Sequence, residues 1–440
     1  MECSTCWQSA APTRGRLAAL LLFGLVIGAC GNEGPTDTEP VEAASLSLDV
    51  TDFGVYVGAR QTLQVTARDS EGAVVNATVT WSSSNEDVAR VSASGGVTGY
   101  GHGTAEITAT SGTAQASATV TVTGLEESLA GVLNEDFFYT NYVDQDPSPS
   151  IQDYACGPKS YDGHLGVDIV LPDFATMDAG IDVLAVAPGT VVATNDGEFD
   201  RNKAWSDAEW NVVVIDHDGQ LESIYGHLKS GSVAVTVGQT VTAGTKLGEV
   251  GSSGRSDMPH LHLELRQQGI VIDPYSGDCS SDREYFRAPL PYQDDFHFIA
   301  SGVSDLNMTL DLVKDPPPRV DRVEADDPRV TMWVHFHNTG VEPLEFRFTR
   351  PDGTLHGTVD LQLDRFYSMS WWWAWWDRSA LASWPGIWTV DAVLSGNVVA
   401  TEQFELTGVV TPPALGRAEG PLSGYGGGEA RGDRGPVVRN

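Results

Sequence analysis

Three short motifs between Cys156 and Cys279 carry residue types that can perform metal-assisted hydrolysis. In chain order they are His164-Leu165-Gly166-Val167-Asp168, Tyr225-Gly226-His227-Leu228 and Pro259-His260-Leu261-His262-Leu263-Glu264. Four of the ten histidines of the chain lie inside these motifs. In an extended segment, side chains two or four residues apart lie on the same face. His164 and Asp168 can therefore converge on one point, and so can His260 and His262.

Two imidazoles and one carboxylate match the ligand count of a hydrolytic zinc ion. Such an ion has three protein ligands, and it lowers the pKa of a water molecule at the fourth position towards 7. If His164, Asp168 and His262 are the ligands, His227 and His260 remain as uncoordinated imidazoles. Those imidazoles can exchange a proton near neutral pH or donate a hydrogen bond to an oxyanion. This is the apparatus of amide hydrolysis.

The sequence around the motifs predicts β-strands. Residues 183–192 and 211–217 read as buried strands, and residues 237–244 read as a hairpin corner before another strand at 247–251. The chain lacks the H-E-x-x-H motif, which counts against a helix-borne zinc site. We therefore expect the candidate ligands to lie on a sheet.

Residues 163–275, roughly a quarter of the chain, resemble the M23, or lysostaphin/LytM-type, peptidase family. The H-x-x-x-D motif of that family maps onto His164 and Asp168, its H-x-H motif onto His260 and His262, and its lone catalytic histidine onto His227. The resemblance implies one zinc ion per catalytic domain with His164, Asp168 and His262 as ligands. It also implies that His227 and His260 act on water and on the tetrahedral intermediate.

The resemblance further implies a small antiparallel β-sheet open as a groove, and peptidoglycan as the partner. The bond cleaved would be a peptide bond in a stem peptide or a cross-bridge. Two stretches depart from the family pattern: an insertion at 196–209 and the segment 255–258 before the H-x-H motif. Both would border the groove, so the resemblance does not carry specificity.

The whole chain reads as a mainly β, multidomain protein. With 440 residues, of which 41% are hydrophobic, it is long enough for two to four domains. Residues 45–123 resemble the bacterial Ig-like group 2 (BIG2) module. The predicted division is a lipoprotein signal peptide at 1–30, a flexible tether at 31–44, an Ig-like β-sandwich at 45–123, a connector at 124–150, an M23-type antiparallel β-sheet peptidase domain at 151–285, a C-terminal Ig-like β-sandwich at 290–408 and a disordered tail at 409–440.

The N-terminal thirty residues predict export. Arg14 and Arg16 precede an apolar run at 17–27 that is too short to span a bilayer comfortably. The run ends in Ile27-Gly28-Ala29-Cys30, which resembles a lipobox and implies lipidation of Cys30 as the mature N-terminus. We expect a lipid-anchored protein of the cell envelope, at the outer membrane facing the periplasm or at the cell surface. The alternative is an ordinary signal peptide with an incidental cysteine.

The remaining cysteines divide into two pairs. Cys3 and Cys6 lie in the segment expected to be removed. Cys156 and Cys279 flank the candidate catalytic region, and in an exported protein we expect them to form a disulfide. The sequence does not give the geometry on which that pairing depends.

The charge of the chain disfavours two classes of partner. The formal net charge is −34, from 60 acidic and 26 basic residues, which disfavours binding to nucleic acid or to anionic lipid headgroups.

Two features outside the motifs stay open. His335 and His337 form a second H-x-H pair on a presumed outer strand face, without an H-x-x-x-D partner, and we do not expect it to bind metal. The run Trp371–Trp376 admits glycan or protein contact through exposed rings. The favoured interpretation places alternate tryptophans in a sandwich core, with some rings exposed.

Three functions follow from these patterns. The first is a zinc endopeptidase acting on peptidoglycan, and the second keeps the zinc chemistry but acts on a protein. The third is a non-catalytic regulator or binding protein of cell-wall hydrolases, against which the complete ligand set argues. A further hypothesis is that the connector around 134–153 blocks the groove.

Overall fold

The computed structural model describes residues 42–217, 221–324 and 327–408, together with the backbone of 423–429. The predicted signal peptide, Cys30 and the tether up to residue 41 lie outside the described residues, as does most of the predicted tail. Among the described residues, no helix has the length and apolar character needed to cross a bilayer.

The N-terminal region is built from three small sheets. In β9, Ala118, Val120 and Val122 point into the core while the residues between them face outward, which is the period-two pattern of a half-buried strand. The sheets have the orders β1-β4, β2-β9-β8-β5 and β3-β7-β6. The strands are β1 Ser45–Leu48, β2 Asp52–Tyr56, β3 Arg60–Thr62, β4 Val65–Arg68, β5 Thr80–Ser83, β6 Ala89–Val91, β7 Gly96–Gly99, β8 Gly103–Ser111 and β9 Ala114–Thr123.

The central region is one large antiparallel sheet with the order β10-β11-β18-β15-β14-β13-β16, and β19 pairs with β18. Strands β12 and β17 form a separate two-stranded sheet. The elements are β10 Phe138–Asn141, β11 Val167–Val170, α1 Phe174–Ala179, β12 Asp182–Leu184, β13 Gly189–Asn195, β14 Val212–His217, β15 Leu221–Gly226, β16 Thr240–Val241, β17 Lys246–Glu249, β18 His260–Gln267 and β19 Ile270–Ile272.

The C-terminal region has two facing sheets, with the orders β20-β22-β25-β28 and β21-β27-β26-β23-β24. A mainly β protein of several sheet-based regions is therefore confirmed. The elements are β20 His297–Ser304, α2 Leu310–Lys314, β21 Arg322–Val323, β22 Arg329–Thr339, β23 Pro343–Thr349, β24 Leu355–Gln362, β25 Tyr367–Asp377, α3 Arg378–Leu381, β26 Gly386–Leu394, β27 Asn397–Leu406 and β28 Ser423–Glu429.

Strands form in two segments that were predicted to be a connector and a disordered tail. Within the predicted connector, β10 pairs with β11 and buries Phe138 and Tyr139, so this segment is the edge of the central sheet. Within the predicted disordered tail, β28 pairs with β25 along the backbone. In both cases, pairing supplies hydrogen bonds to a strand edge that would otherwise be open.

The C-terminal region packs against the central region through strand β25. Its Trp372 and Ala374 lie in the core between the two C-terminal sheets. Its Met369, Trp371 and Trp373 join a second core that continues into the central region. Both faces of this strand are covered, one by its own region and one by the neighbouring region.

The expected disulfide is confirmed. Cys156 and Cys279 are bonded, with their Cα atoms 5.2 Å apart and a sequence separation of 123 residues. In the chain-entropy model, closing a loop of that length stabilises the fold by about 5 kcal/mol. The bond ties together the two ends of the central region.

Candidate metal and catalytic centre

Three neighbouring strands bring the sequence motifs together. Strand β18 lies between β11 and β15, and His262 is directly opposite Asp168 on one side and Gly226 on the other. Directly opposed residues share a face of the sheet, and His260 shares the face of His262 because it lies two residues away. His227 follows β15, and His164 lies in the turn before β11 rather than on the strand itself.

The three predicted ligands present one atom each to a common point. The distance from His164 Nε2 to Asp168 Oδ1 is 3.1 Å, and that from Asp168 Oδ1 to His262 Nδ1 is 3.0 Å. His164 Nε2 and His262 Nδ1 are 3.3 Å apart. Two ligand atoms of a tetrahedral zinc ion with bonds of about 2.1 Å lie about 3.4 Å apart. The donor set and its spacing fit such an ion, and all three residues are buried.

Each candidate ligand is oriented by a second contact. His164 Nδ1–H donates to the carbonyl oxygen of Tyr142 at 2.8 Å, which leaves Nε2 as the free lone pair. Asn141 Nδ2 donates to Asp168 Oδ2 at 3.1 Å, which directs Oδ1 towards the imidazoles. Glu264 Oε2 lies 3.5 Å from His262 Nε2. Such outer contacts fix the tautomer and the ring orientation of metal ligands.

The electrostatics of this cluster favour a cation. Burial alone would raise the pKa of Asp168, but the imidazoles of His164, His260 and His262 hold it well below its ordinary value. Burial opposes a charge on His262, yet hydrogen bonds to Asp168 and Glu264 raise its pKa to about 9. The field that stabilises a proton on this imidazole also stabilises a divalent ion beside it.

The two remaining histidines are held through backbone carbonyls. His227 Nδ1–H donates to the carbonyl of Ser253 at 2.7 Å, and His260 Nδ1–H donates to the carbonyl of Met258 at 2.8 Å. Because a carbonyl only accepts, both rings carry their lone pair on Nε2. Their ring centres are 4.4 Å apart, and His260 Nε2 lies 3.7 Å from Asp168 Oδ1.

His227 occupies an unusual backbone and electrostatic position. Its φ is 62°, a left-handed conformation that is uncommon for a residue with a side chain and that clusters at functional sites. Burial, together with the nearby His260 and His262, lowers its pKa well below 6.5. His227 is therefore neutral at pH 7, as a proton acceptor must be.

Two glycines in the motifs make room for these rings. A Cβ on Gly166 would lie 2.7 Å from the ring of His262, and a Cβ on Gly226 would lie 2.1 Å from the ring of Trp210. Contacts below 3 Å are not tolerated without movement of the neighbour. The glycine in the H-L-G-V-D motif is therefore part of the site.

A cleft of about 440 Å³ opens beside the candidate metal site. Aromatic rings form much of its wall: Tyr161 stacks on His164 with ring centres 4.3 Å apart, and Trp210 packs against His227. The guanidinium of Arg255 lies 4.6 Å from the ring centre of Trp205. Trp205 belongs to the insertion at 196–209 and Arg255 to the segment 255–258, so the two stretches that depart from the family pattern both line the cleft.

The structure places the other predicted sites as follows. Cys30 lies outside the described residues. The Trp371–Trp376 strand buries Trp371, Trp372 and Trp373, and Trp375 and Trp376 are half-buried. The core interpretation of this run is confirmed, and the expectation of exposed rings is wrong because the central region covers the second face.

The supporting residues Asn141 and Tyr142 were missed by sequence reasoning, as were the carbonyls of Ser253 and Met258. The aromatic-rich stretch 137–142 was the available signal for a buried strand that lies upstream of the motifs.

Comparison with known families matches two parts of the chain. Residues 163–274 match the model of peptidase family M23, and residues 44–122 match the bacterial Ig-like domain (group 2). The murein hydrolase activator EnvC of Escherichia coli is 35% identical over 95 residues, which cover 22% of this chain and 20% of that protein. The DD-carboxypeptidase/endopeptidase Mpg of Neisseria meningitidis is 37% identical over 100 residues, which cover 23% and 22%.

These curated relatives are matched over about a fifth of their own length. Among solved structures, the catalytic domain of lysostaphin from Staphylococcus simulans is 25% identical, with a TM-score of 0.22, and the match covers 32% of this chain and 90% of that one. The chain thus carries an M23 peptidase-family domain at residues 163–274, preceded by a group 2 bacterial Ig-like domain at residues 44–122.

Proposed function

We propose that this protein is a zinc metalloendopeptidase that hydrolyses peptide bonds in the stem peptides or cross-bridges of peptidoglycan. The observation that carries the proposal is the convergence of His164 Nε2, Asp168 Oδ1 and His262 Nδ1 within 3.3 Å of one another, beside two uncoordinated imidazoles. The names of the relatives, which include a murein hydrolase activator and a carboxypeptidase/endopeptidase, support the choice of peptidoglycan.

His164, Asp168 and His262 would hold the zinc ion. A zinc ion at this position supplies Lewis acidity, which polarises the scissile carbonyl and makes water more acidic. His227 Nε2 can accept a proton, because the ring is neutral at pH 7 and its Nδ1–H donates to the carbonyl of Ser253. His227 Nε2 or His260 Nε2 accepts a proton from the attacking water, and the ring that has become protonated at Nε2 can then donate a hydrogen bond to the developing oxyanion.

The cleft would bind the substrate peptide. Its aromatic walls exclude water from the reacting bond and give a peptide apolar surface to lie on. Arg255 and Glu209 both line the cleft, so it carries charges of both signs at its rim. A peptide that carries both carboxylates and amines suits that rim.

We also propose the predicted arrangement of the whole chain in the envelope. Removal of residues 1–30 and acylation of Cys30 would anchor the protein in a membrane, and the Ig-like domain would hold the catalytic domain away from it. The disulfide supports an oxidising compartment, because such bonds persist outside the cytosol. The predicted domain boundaries remain a proposal.

The test is the zinc content of the purified protein from residue 31 onward, measured together with release of soluble products from isolated peptidoglycan. We expect about one zinc per chain and release that a chelator abolishes, with both lost in His262→Ala. Zinc without release from peptidoglycan would move the search to protein substrates. A protein that binds no zinc would refute the proposal.

A non-catalytic regulator is the second candidate, and one observation favours it: a matched relative is named as an activator of murein hydrolases. The discriminating experiment adds the zinc-loaded protein to a second wall hydrolase. Stimulation of that enzyme by His262→Ala as strong as that by the unmodified protein would favour regulation.

A further inference from the structure

Both uncoordinated imidazoles are oriented by one loop. The carbonyl of Ser253 accepts from His227, and the carbonyl of Met258 accepts from His260. Ser256 Oγ lies 3.2 Å from His260 Nδ1 and 2.8 Å from the carbonyl of Met258. We name residues 252–258 the anchoring loop. Any shift of this loop moves both proton-transfer groups relative to Asp168.

A lysine from the C-terminal region holds the anchoring loop. Lys314 ends helix α2, and its ammonium donates to Asp257 Oδ2 at 2.8 Å and to the carbonyl of Asp257 at 3.0 Å. Lys314 is 0% exposed and Asp257 is 6% exposed, so water screens this pair little. The next residue, Asp315, accepts from Arg201 and Lys203 of the insertion at 196–209.

The insertion is bonded to the same loop. Asn202 Nδ2 donates to the carbonyls of Ser252 and Gly254, each at 3.0 Å, and Ser252 Oγ donates to the carbonyl of Asn202 at 2.8 Å. The anchoring loop is thus hydrogen-bonded both to Lys314 of helix α2 and to Asn202 of the insertion. The insertion in turn is bonded to Asp315, the residue after that helix.

We infer that Lys314 is a positioning residue for catalysis: through Asp257 it fixes the anchoring loop and thereby the orientation of His260 and His227. The inference rests on the proposed hydrolase function. Removing the ammonium would leave the Asp257 carboxylate buried without its partner, a state that is strongly unfavourable. The loop would relax towards solvent, and the imidazoles would lose their fixed tautomer. The C-terminal region would then be a working part of the active site rather than a separate appendage.

The test compares buried lysines that join the same two regions. Lys159 is 1% exposed and donates to Asn338 Oδ1 at 3.1 Å, and its contacts lie away from the anchoring loop. In the zinc-loaded full chain, we expect Lys314→Met to lower kcat by roughly 10- to 100-fold, the usual effect of losing an outer orienting contact, with KM changed less than twofold. Lys159→Met should lower kcat less than Lys314→Met does, because the Lys159 ammonium is bonded to the carbonyl of Tyr139 in β10 and not to the anchoring loop.

A double-mutant cycle tests whether the effect passes through the proposed contact. Asp257→Asn keeps the side-chain shape and is the milder variant should Lys314→Met fold poorly. Because Lys314 acts through Asp257, the double variant should be no slower than Lys314→Met alone. Additive losses would overturn the proposed route, and so would equal losses of kcat in Lys314→Met and Lys159→Met.

A spectroscopic measurement separates this inference from the proposed function. The imidazole ¹⁵N shifts of zinc-loaded protein should show a single Nδ1–H tautomer of His260, which becomes mixed in Lys314→Met and stays single in Lys159→Met. This readout needs no substrate, so it holds even if the protein hydrolyses nothing. An unchanged His260 signature in Lys314→Met would refute the positioning role.

Discussion

The chain contains two H-x-H pairs on β-strands, and among the described residues only one of them forms a cluster that can bind metal. Opposite His262, across the antiparallel ladder, lies Asp168, whereas opposite His335 lies Trp371 and opposite His337 lies Met369. His262 is 8% exposed, His335 2% and His337 0%, and His260 is half-buried. The placement of His335 and His337 on an outer strand face was therefore wrong.

The difference shows that the cross-strand partner decides what a buried imidazole does. Two carboxylates raise the pKa of His262 to about 9. Burial alone lowers the pKa of His335 to about 3, and burial with the nearby Lys159 ammonium lowers that of His337 to about 2. The surroundings of His262 stabilise a positive charge, whereas the surroundings of His335 and His337 disfavour protonation of either ring. His335 instead stacks on Trp371, with ring centres 4.4 Å apart.

The largest expected effect comes from deleting one imidazole of each pair. His262→Ala should abolish zinc binding and lower hydrolysis by about 10³-fold or more, because the ion contributes several kcal/mol to the transition state. His335→Ala should keep about one zinc per chain. Metal analysis of the two purified variants checks this, and loss of zinc from His335→Ala would break the comparison.

The next largest effect concerns Trp371, which lies opposite His335 in the way that Asp168 lies opposite His262. Trp371→Ala removes a fully buried ring, which should lower the free energy of unfolding by about 3–5 kcal/mol without changing the zinc content. Trp375, on the same face of β25 but half-buried, is the matched control, and its replacement by alanine should cost less. Urea denaturation of the zinc-loaded variants gives both values.

The pH dependence of stability should report the second pair. His335 and His337 have folded pKa values below the unfolded value of about 6.5, so the stability they confer is complete above pH 6.5 and is lost as the pH falls towards 3. Each contributes up to about 1.4 kcal/mol per pH unit in that window. Lys159 and His297 face His337, and positive charge on either side chain acts in the same direction on the pKa of His337.

Urea denaturation between pH 4 and 7 measures this slope. His335→Phe can keep the stack on Trp371, and it should reduce the slope by the contribution of one titrating group. Replacement of the exposed His102 by glutamine should not change the slope. An equal slope in His335→Phe and the unmodified chain would contradict the assignment.

The smallest effect should come from the contact that orients Asp168. Asn141→Ala removes the donor to Asp168 Oδ2 and should weaken zinc binding by roughly tenfold. Thr140→Val is the control, because the Thr140 hydroxyl contacts only the backbone carbonyl of Asp168. Competition with a chelator measures both affinities. If both variants bind zinc as tightly as the unmodified chain, the outer contact has no role in metal affinity.

The sequence was sufficient to predict the sheet and the candidate site, because period-two spacing places His260 with His262 and the residue types indicate which three side chains could bind a metal. The same spacing correctly separated Met332, Val334 and Phe336 from the face of His335 and His337. Spacing cannot say what covers a face. The exposed-side face of β22 and β25 is covered by the central region of the chain. The burial of His335 and His337 could therefore not be predicted from the sequence.

The outer contacts were unpredictable for a related reason. Asn141 and Tyr142 reach Asp168 and His164 only because β10 pairs with β11 across an interval of more than twenty residues. The two carbonyls of the anchoring loop are backbone atoms and leave no trace in residue type. Lys314 lies 50 residues beyond the end of the last motif, and nothing in its local sequence distinguishes it from a surface lysine.

The edge strand β10 has a consequence for how this catalytic unit could be exchanged between proteins. A recombination event that transferred only residues 163–274 would carry every candidate ligand and every proposed proton-transfer side chain but leave Asn141 and Tyr142 behind. It would also sever the covalent link between Cys156 and Cys279, since both lie outside that interval. A transferred unit that keeps these contacts must begin at or before Phe138, so its upstream breakpoint would have to fall in the about fifteen residues between the Ig-like domain and β10.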